Sequence, residues 1–146
     1  MFAATAADAA LQHVATAVTD QVPTVRAGES ATLRVTVSIK PGYHVQANPV
    51  LNPALKPLLL TVQAPPSIRA GAPVYPQAKR LRLLGSDEDL VIYDGTFVVE
   101  QPVSVSKGSR PGETAFEGSL RYQACDDRRC LMPRTLPVQF RLRVGE

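Results

Sequence analysis

The chemistry that this sequence could perform centres on its two cysteines, Cys125 and Cys130. The segment between them, residues 126–129, reads Asp-Asp-Arg-Arg and is wholly charged. Two thiols at this spacing could form a disulfide that stabilises a loop, contribute ligands to a metal site, or exchange electrons with another protein. Each role places different demands on the elements that hold the sulfurs.

The position of the cysteines relative to the predicted strands favours a disulfide. Cys125 ends one predicted strand and Cys130 shortly precedes the next, so the pair should lie across the mouth of a β-hairpin. Facing residues of antiparallel strands have Cα atoms about 4.5–5.5 Å apart, which a disulfide spans easily. Closing so short a loop contributes only about 2 kcal/mol in the chain-entropy model, so this bond is poorly placed as a structural staple.

The charged segment should face water, where a thiolate of another protein could reach a sulfur. Alternation along the preceding strand predicts that Cys125 points to the same side as Arg121 and Gln123, away from the core. The inward side of that strand would carry Phe116, Leu120, Tyr122 and Ala124. A disulfide in such a position is open to exchange.

The residues alone leave three interpretations open. A non-catalytic interaction module would use the bond only as a structural disulfide, whereas a redox domain would exchange it with other proteins. A Cu(I) site would add the thioether of Met132 and the imidazole of His44 to the two sulfurs. Two cysteines four residues apart are not by themselves a zinc signature.

Composition and charge narrow the class of protein. The 146 residues are 45% hydrophobic and 20% charged, which is typical of one globular domain, with residues 1–12 expected to be a loosely ordered N-terminal segment. The net charge of +3 is scattered along the chain, which argues against nucleic acid as a partner. No apolar run reaches the ~18 residues that a membrane span needs, so we expect no direct membrane insertion. Because the first basic residue is Arg26, no signal peptide is expected either.

Alternating apolar and polar residues predict a β-protein. Residues 31–40 and 136–144 have the period of two that is typical of a sheet with one buried face. Weaker patterns predict strands at residues 13–22, 58–64, 96–106 and 113–124. Thirteen prolines and nine glycines supply turns between them. We therefore expect an all-β fold, an antiparallel β-sandwich, with helix limited to about one turn near residues 52–55.

Two proline-containing stretches, residues 41–57 and 65–95, do not fit the strand pattern. Loops this long inside a compact domain are often lids or binding loops. The alternative is that Leu81, Leu83 and Leu84 form an extra edge strand.

At the cysteine motif the sequence resembles the N-terminal periplasmic domain of the thiol:disulfide interchange protein DsbD. The resemblance is carried by Tyr122-Gln123-Ala124-Cys125 followed by Cys130 and Pro133, with support from residues 39–44 and 91–95, and it extends over about residues 26–144. It implies an immunoglobulin-like sandwich in the periplasm that acts as a thiol-disulfide oxidoreductase without a bound cofactor.

The resemblance also implies partners and roles. The family takes electrons from the thioredoxin-like domain of the same membrane protein and gives them to thioredoxin-fold partners, such as disulfide isomerases and a cytochrome c maturation thioredoxin. By this resemblance, Cys130 forms the mixed disulfides and Cys125 resolves them.

The remaining site residues are also assigned by resemblance. A cap loop that shields the cysteines corresponds to Arg82, Leu83, Leu84 and Gly85. The site would be lined by His44, Gln46, Tyr122 and Gln123. His44 and Gln46 stand where relatives can have tyrosines.

Overall fold

The computed structural model describes residues 14–82 and 85–146. Within these residues all regular structure is β, and the strands follow one another along the chain without an intervening helix. None of the described residues belongs to a helix long and apolar enough to cross a membrane. The strands are β1 (Ala15–Val18), β2 (Thr24–Arg26), β3 (Ser30–Ile39), β4 (His44–Gln46), β5 (Leu59–Gln63), β6 (Ile68–Ala70), β7 (Lys79–Arg82), β8 (Asp89–Tyr93), β9 (Thr96–Val105), β10 (Gly112–Tyr122), β11 (Ala124–Cys125) and β12 (Arg134–Gly145).

The strands form three sheets of four strands each. The first has the order β1-β3-β9-β6, the second β2-β12-β10-β5 and the third β11-β4-β8-β7. Neighbouring strands are antiparallel except β2 and β12, which are parallel. The arrangement is an immunoglobulin-like β-sandwich, as the sequence predicts.

The core is made by the apolar face of each long strand. Every second residue is buried from Leu33 to Ile39 in β3 and from Val138 to Val144 in β12, because side chains of a strand point alternately to opposite faces. Buried residues of both of the first two sheets belong to one apolar cluster. Within it, Phe116 and Phe140 face each other across β10 and β12 with ring centroids 5.4 Å apart.

The strand predictions are confirmed where alternation is long. Residues 31–40 correspond to β3, and residues 136–144 lie within β12. The four weaker predictions correspond to β1, β5, β9 and the pair β10 and β11. The strand β1 is shorter than the predicted residues 13–22. The expected turn of helix at residues 52–55 is instead a hydrogen-bonded turn, in which the Leu55 N–H donates to the Asn52 carbonyl at 3.0 Å.

The two stretches that did not fit the pattern contain four short strands, β4, β6, β7 and β8. These strands have three to five residues, which is too short for a period of two to be recognised in the sequence. Their extended conformation depends on pairing with neighbouring strands. Leu81 lies in β7, the edge strand of the third sheet, as the edge-strand alternative predicts. Leu83, Leu84 and residues 1–13 lie outside the described residues.

Candidate redox site

The site is built on the third sheet, where Cys125 ends β11. Cys125 and Cys130 are joined by a disulfide and face each other as an isolated antiparallel pair. The two cysteines therefore face each other across a hairpin as predicted, but their Cα atoms are 3.9 Å apart, closer than the expected distance of about 4.5–5.5 Å. On its other side β11 pairs with β4, which places Cys125 opposite His44 and Ala124 opposite Val45.

The two sulfurs differ in exposure. Cys125 is fully buried, with 0% of its surface exposed, whereas Cys130 is partly exposed. The outward direction predicted for Cys125 is wrong. Gln123 separates β10, which pairs with β12, from β11, which pairs with β4. Because the strand is interrupted there, the alternation of inward and outward side chains along β10 does not continue into β11. Tyr122, Ala124 and Cys125 are consequently all buried.

Gln46 supplies a hydrogen bond to the buried sulfur. Its side-chain Nε2 donates to Sγ of Cys125 at 3.4 Å, and only 1% of its surface is exposed. The backbone of Gln46 is held on both sides, because its N–H donates to the Gln123 carbonyl and its carbonyl accepts from the Leu58 N–H, both at 3.2 Å. These bonds fix the main chain from which the Gln46 side chain extends towards the sulfur.

Gln123 ties together the base of the cysteine hairpin. Its Oε1 accepts a hydrogen bond from the Lys56 N–H at 2.8 Å, and its Nε2 donates to the Leu131 carbonyl at 3.1 Å. The Leu131 N–H in turn donates to the Ala124 carbonyl at 2.8 Å. These bonds link the segments before and after the disulfide to the loop that leads into β5.

Asp126 organises the charged loop between the cysteines. Its Oδ1 accepts hydrogen bonds from the N–H groups of Arg128 and Arg129, each at 2.8 Å, and its own N–H donates to the Arg129 carbonyl at 2.9 Å. The two backbone donors lower the pKa of the Asp126 carboxyl below its usual range, with smaller contributions from the two guanidinium groups. Residues 127–129 are exposed, as predicted for the charged segment.

Two buried polar side chains near the disulfide have atoms without a hydrogen-bond partner among the described residues. They are Nε2 of His44 and the hydroxyl of Tyr122. Burial lowers the pKa of His44, and this outweighs the opposing attraction of Asp94 and Asp126. Burial raises the pKa of Tyr122, against a smaller effect of Arg134.

Two surface grooves flank the disulfide. The first, which we call the His44 groove, has a volume of about 400 Å³ and is lined by residues that include Tyr43, His44, Leu81, Arg82, Asp94 and Asp127. The second, the Cys130 groove, has a volume of about 310 Å³ and is lined by Arg129, Cys130, Leu131, Met132 and Arg134. Met132 is 81% exposed there. The sulfur with access to solvent thus lies beside an exposed apolar side chain flanked by two arginines.

The ligands of the hypothetical Cu(I) site are distributed over both grooves. Met132 lines the Cys130 groove and His44 lines the other. Across residues 14–82 and 85–146, the structure contains no group of three or more His, Cys, Asp or Glu side chains placed to hold a metal ion.

Comparison with protein families identifies the chain. A family model described as "Thiol:disulfide interchange protein DsbD, N-terminal" matches residues 11–141. The chain belongs to the DsbD N-terminal domain family. Family membership and the Cys125–Cys130 disulfide together support a thiol-disulfide interchange domain.

Solved structures agree with this fold. The chain is similar to the N-terminal periplasmic domain of ScsB from Proteus mirabilis, with a TM-score of 0.51 and 15% identity over 84% of this chain, and it spans only 43% of that chain. Two further matches are too distant to carry an argument. A family 123 glycoside hydrolase from Clostridium perfringens has a TM-score of 0.40 and 9% identity, over 90% of this chain and 27% of that chain. The major pilin subunit BcpA of Bacillus cereus has a TM-score of 0.41 and 10% identity, over 89% of this chain and 40% of that chain. A search of curated proteins gives no match.

The residues expected from the DsbD family to line the site lie close to the disulfide. His44 and Gln46 are on β4 beside Cys125, Tyr122 ends β10, and Gln123 supports the hairpin. Of the four residues assigned to the cap loop, Arg82 ends β7 and lines the His44 groove, where its Nε is 3.0 Å from Oδ1 of Asp89. Gly85 has a φ of 78°, a left-handed conformation that favours glycine.

Sequence reasoning missed the Cys130 groove as a surface. Met132 entered only as a hypothetical copper ligand, although its place two residues after a cysteine in a highly charged segment was a signal.

Proposed function

We propose that this domain passes reducing equivalents between a membrane-linked thioredoxin-like domain and thioredoxin-fold proteins of the periplasm, as a thiol-disulfide oxidoreductase without a bound cofactor. The observation that carries the proposal is the unequal exposure of the two sulfurs, 0% for Cys125 and partial for Cys130. Of the two cysteines only Cys130 is partly exposed, which supports it as the residue that an incoming thiolate attacks.

The asymmetry assigns a role to each cysteine. When the domain accepts electrons, a partner thiolate attacks Sγ of Cys130, the Cys125–Cys130 bond breaks, and Cys125 leaves as a thiolate. A second thiolate of the partner then attacks its own sulfur in the mixed disulfide and releases Cys130. Two electrons have passed to the domain, and the partner has become a disulfide. The same steps in reverse reduce the next partner, with Cys125 as the resolving sulfur.

The surroundings of Cys125 fit this role. Negative charge develops on its sulfur as the disulfide opens, and the amide of Gln46 is already directed at that atom at 3.4 Å. A hydrogen bond to a charged acceptor is stronger than one to a neutral acceptor, so this contact gains strength during the reaction.

The Cys130 groove is the proposed docking surface for partners. Met132 offers an apolar contact next to the reactive sulfur, and Arg129 and Arg134 line the same groove. A partner that covers it would exclude water from the exchanging sulfurs. The groove and the cysteines support a protein, rather than a small molecule, as the partner in exchange.

The cap loop of residues 82–85 is proposed to shield the disulfide from small thiols and oxidants until a partner docks. The family resemblance and the position of Arg82 in the His44 groove support this role. Replacement of both leucines, Leu83→Gly with Leu84→Gly, should speed the reaction with small oxidants. Unchanged rates would remove the cap from the mechanism.

A structural disulfide in a non-catalytic module is the second candidate, and the full burial of Cys125 favours it. The two candidates differ in reduction potential. A structural bond in an exported protein has a potential below about −300 mV, whereas an exchanging bond titrates against glutathione at a less negative value. A Cu(I) carrier would instead retain copper when reduced and lose it in Cys125→Ser.

The decisive experiment is to trap the mixed disulfide. The Cys125→Ser variant retains the exposed sulfur and cannot resolve, so it should accumulate a covalent complex through Cys130 with an oxidised thioredoxin-fold protein. Cys130→Ser is the matched control and should form none. Equal trapping by both variants, or by neither, would contradict the proposal.

A further inference from the structure

His44 is a buried titratable group that the exchange steps above do not use. It is 7% exposed, and its Nε2 has no hydrogen-bond partner among the described residues. A buried polar atom without a partner costs free energy, so its presence in a native structure calls for an explanation. Its position beside the resolving cysteine suggests one.

The pairing of β4 with β11 places His44 directly opposite Cys125. Facing residues of antiparallel strands have Cβ atoms about 4.5–5.5 Å apart, and their side chains lie on the same face of the sheet. Gln46, two residues further along β4 and therefore on that same face, reaches Sγ of Cys125. On β4 the sulfur thus has an amide donor at 3.4 Å from Gln46, and the residue that stands opposite Cys125 in the strand register is His44.

We propose that His44 is the proton acceptor of the Cys125 thiol when Cys125 resolves a mixed disulfide, and the proton donor to that sulfur in the reverse direction. This inference rests on the proposed function and assigns it a further catalytic residue. A Cys125 thiol cannot attack until it is deprotonated, and its burial keeps water and buffer bases away. A neutral imidazole on the facing strand replaces them.

The step balances as follows. Nε2 of His44 takes the thiol proton, the Cys125 sulfur attacks Sγ of Cys130, and the bond from Cys130 to the partner's sulfur breaks. The partner's sulfur leaves with the bonding electron pair and is protonated by solvent or by the imidazolium. The two cysteines have been oxidised to the disulfide, and the partner's disulfide has been reduced to a dithiol.

The groups around His44 are compatible with this role. Burial lowers its pKa, so the imidazole is neutral and able to accept a proton near neutral pH. The charged and titratable groups near it are Asp94 after β8, Asp126 and Asp127 of the cysteine loop, Arg82 at the end of β7, and Tyr43 on its own segment. Asp94 is itself paired with Lys79 at 2.7 Å. His44 also lines the His44 groove at the surface of the domain.

The test isolates the resolving step. Reduced domain is treated at acidic pH with one equivalent of dithiobis(nitrobenzoate), which leaves nitrothiobenzoate attached to Cys130. After a jump to the test pH, release of the second coloured thiol reports the attack by Cys125. In His44→Gln this release should be slower near neutral pH, by roughly a hundredfold, which is the lower end of general-base contributions. The rates of variant and wild type should converge at alkaline pH, where the thiol ionises without a base.

Two further arms separate a chemical role from a structural one. Added imidazole should restore release in His44→Ala, because the neighbouring groove of about 400 Å³ is open to it, and should not accelerate the wild type. His13→Gln, the same substitution at the chain's other histidine, is the matched control and should behave as wild type. Wild-type release should also show an inflection at the pH where the His44 imidazole titrates in an NMR titration, a readout that needs no variant.

Each outcome is decisive. Wild-type rates in both His44 variants, or slower release without rescue and without a change in pH profile, would overturn the role of His44 and leave the proposed function standing. A wild-type profile with a single inflection, at the ionisation of the thiol, would overturn it even if both variants failed to fold. If the wild type never forms or never resolves the mixed disulfide, the proposed function fails together with this inference.

Discussion

The side-chain amide of Gln46 donates a hydrogen bond to Sγ of Cys125 across 3.4 Å, in a part of the molecule where both residues are buried. The two residues are far apart in the sequence and are brought together by the pairing of β4 with the two-residue strand β11. The amide is uncharged, yet it can stabilise the negative charge that develops on the Cys125 sulfur when the disulfide opens. The sulfur is then a better leaving group, and no positively charged side chain is needed for this.

Removal of this donor should slow opening of the disulfide. In Gln46→Leu a similar volume is kept, but the hydrogen bond to the departing thiolate is lost. Bonds to charged acceptors contribute about 1.5–3 kcal/mol, so reduction by dithiothreitol should become slower by about ten- to 150-fold. Stopped-flow measurement of thiol formation checks this, with Gln46→Glu as a variant of similar shape that offers a carboxylate instead of the amide donor. An unchanged rate in Gln46→Leu would show that the contact has no role in bond opening.

The loop between the cysteines should depend on Asp126 as an acceptor. Asp126→Ala leaves the N–H groups of Arg128 and Arg129 without their partner, so the loop should sample more conformations and the disulfide should re-form severalfold more slowly. Asp126→Asn retains the acceptor oxygen and is the matched control, expected to be near wild type. The rate of oxidation by glutathione disulfide is the measurement. Equal rates for the two variants would mean that the carboxylate acts only by its charge.

The Tyr122 hydroxyl should be dispensable for stability. It is buried and has no hydrogen-bond partner among the described residues, so Tyr122→Phe removes an unpaired polar group and keeps the ring in the core. We expect the free energy of unfolding to rise by about 1 kcal/mol, at the low end of the desolvation penalty for such a group. Urea denaturation gives the value. A clear loss of stability would indicate that the hydroxyl has a partner in solution.

The pH dependence of stability should carry a signature of His44. Burial lowers its pKa in the folded state, so the unfolded chain takes up a proton near pH ~6.5 while the folded protein resists it. The contribution of His44 is therefore fully present above that pH and is lost as the pH falls from there towards the folded pKa. In His44→Gln this part of the slope should be absent. Urea unfolding at a series of pH values tests the sign, and a stability of the wild type that rises relative to the variant on acidification would refute it.

The core should not accept a methyl group at Gly118. This residue lies in β10 between β5 and β12, and a Cβ there would stand 2.7 Å from the Thr61 carbonyl oxygen and 2.8 Å from Cε2 of Phe140. Gly118→Ala should therefore lower the free energy of unfolding by about 1–3 kcal/mol, the usual cost of overpacking. Gly108→Ala is the control, because nothing lies within 4 Å of the Cβ position there. Thermal unfolding of the two variants should separate them, and equal midpoints would contradict the packing.

Long alternation made most of the sandwich predictable. Every second residue is apolar over residues 31–39 of β3 and 136–144 of β12, and this fixes both the strand and its buried face. Strands of three residues such as β4 and β6 carry no such pattern, and they depend on neighbours that are distant in the sequence. They were therefore missed.

Several of the residues that lie near the disulfide could be named from the sequence, but their geometry could not. The cysteine motif and the resemblance pointed to His44, Gln46 and Gln123, which the fold does bring close to the disulfide. The direction of Cys125 was wrong because the chain changes sheets at Gln123, and no local signal marks that change. The hydrogen bond from Gln46 and the unpaired nitrogen of His44 both depend on the register between β4 and β11. Only two residue pairs form this register, and so short a pairing cannot be predicted from the sequence.

The Cys125–Cys130 ring spans a separation of five positions within a single hairpin. None of the long strands that enclose the apolar interior is anchored through it. Gain and loss of the bond should thus leave the overall outline of the domain almost unchanged, and donor and acceptor proteins would meet nearly the same shape in both oxidation states. Under the proposed function, partners would therefore distinguish the oxidised from the reduced domain mainly by the atoms around Cys130.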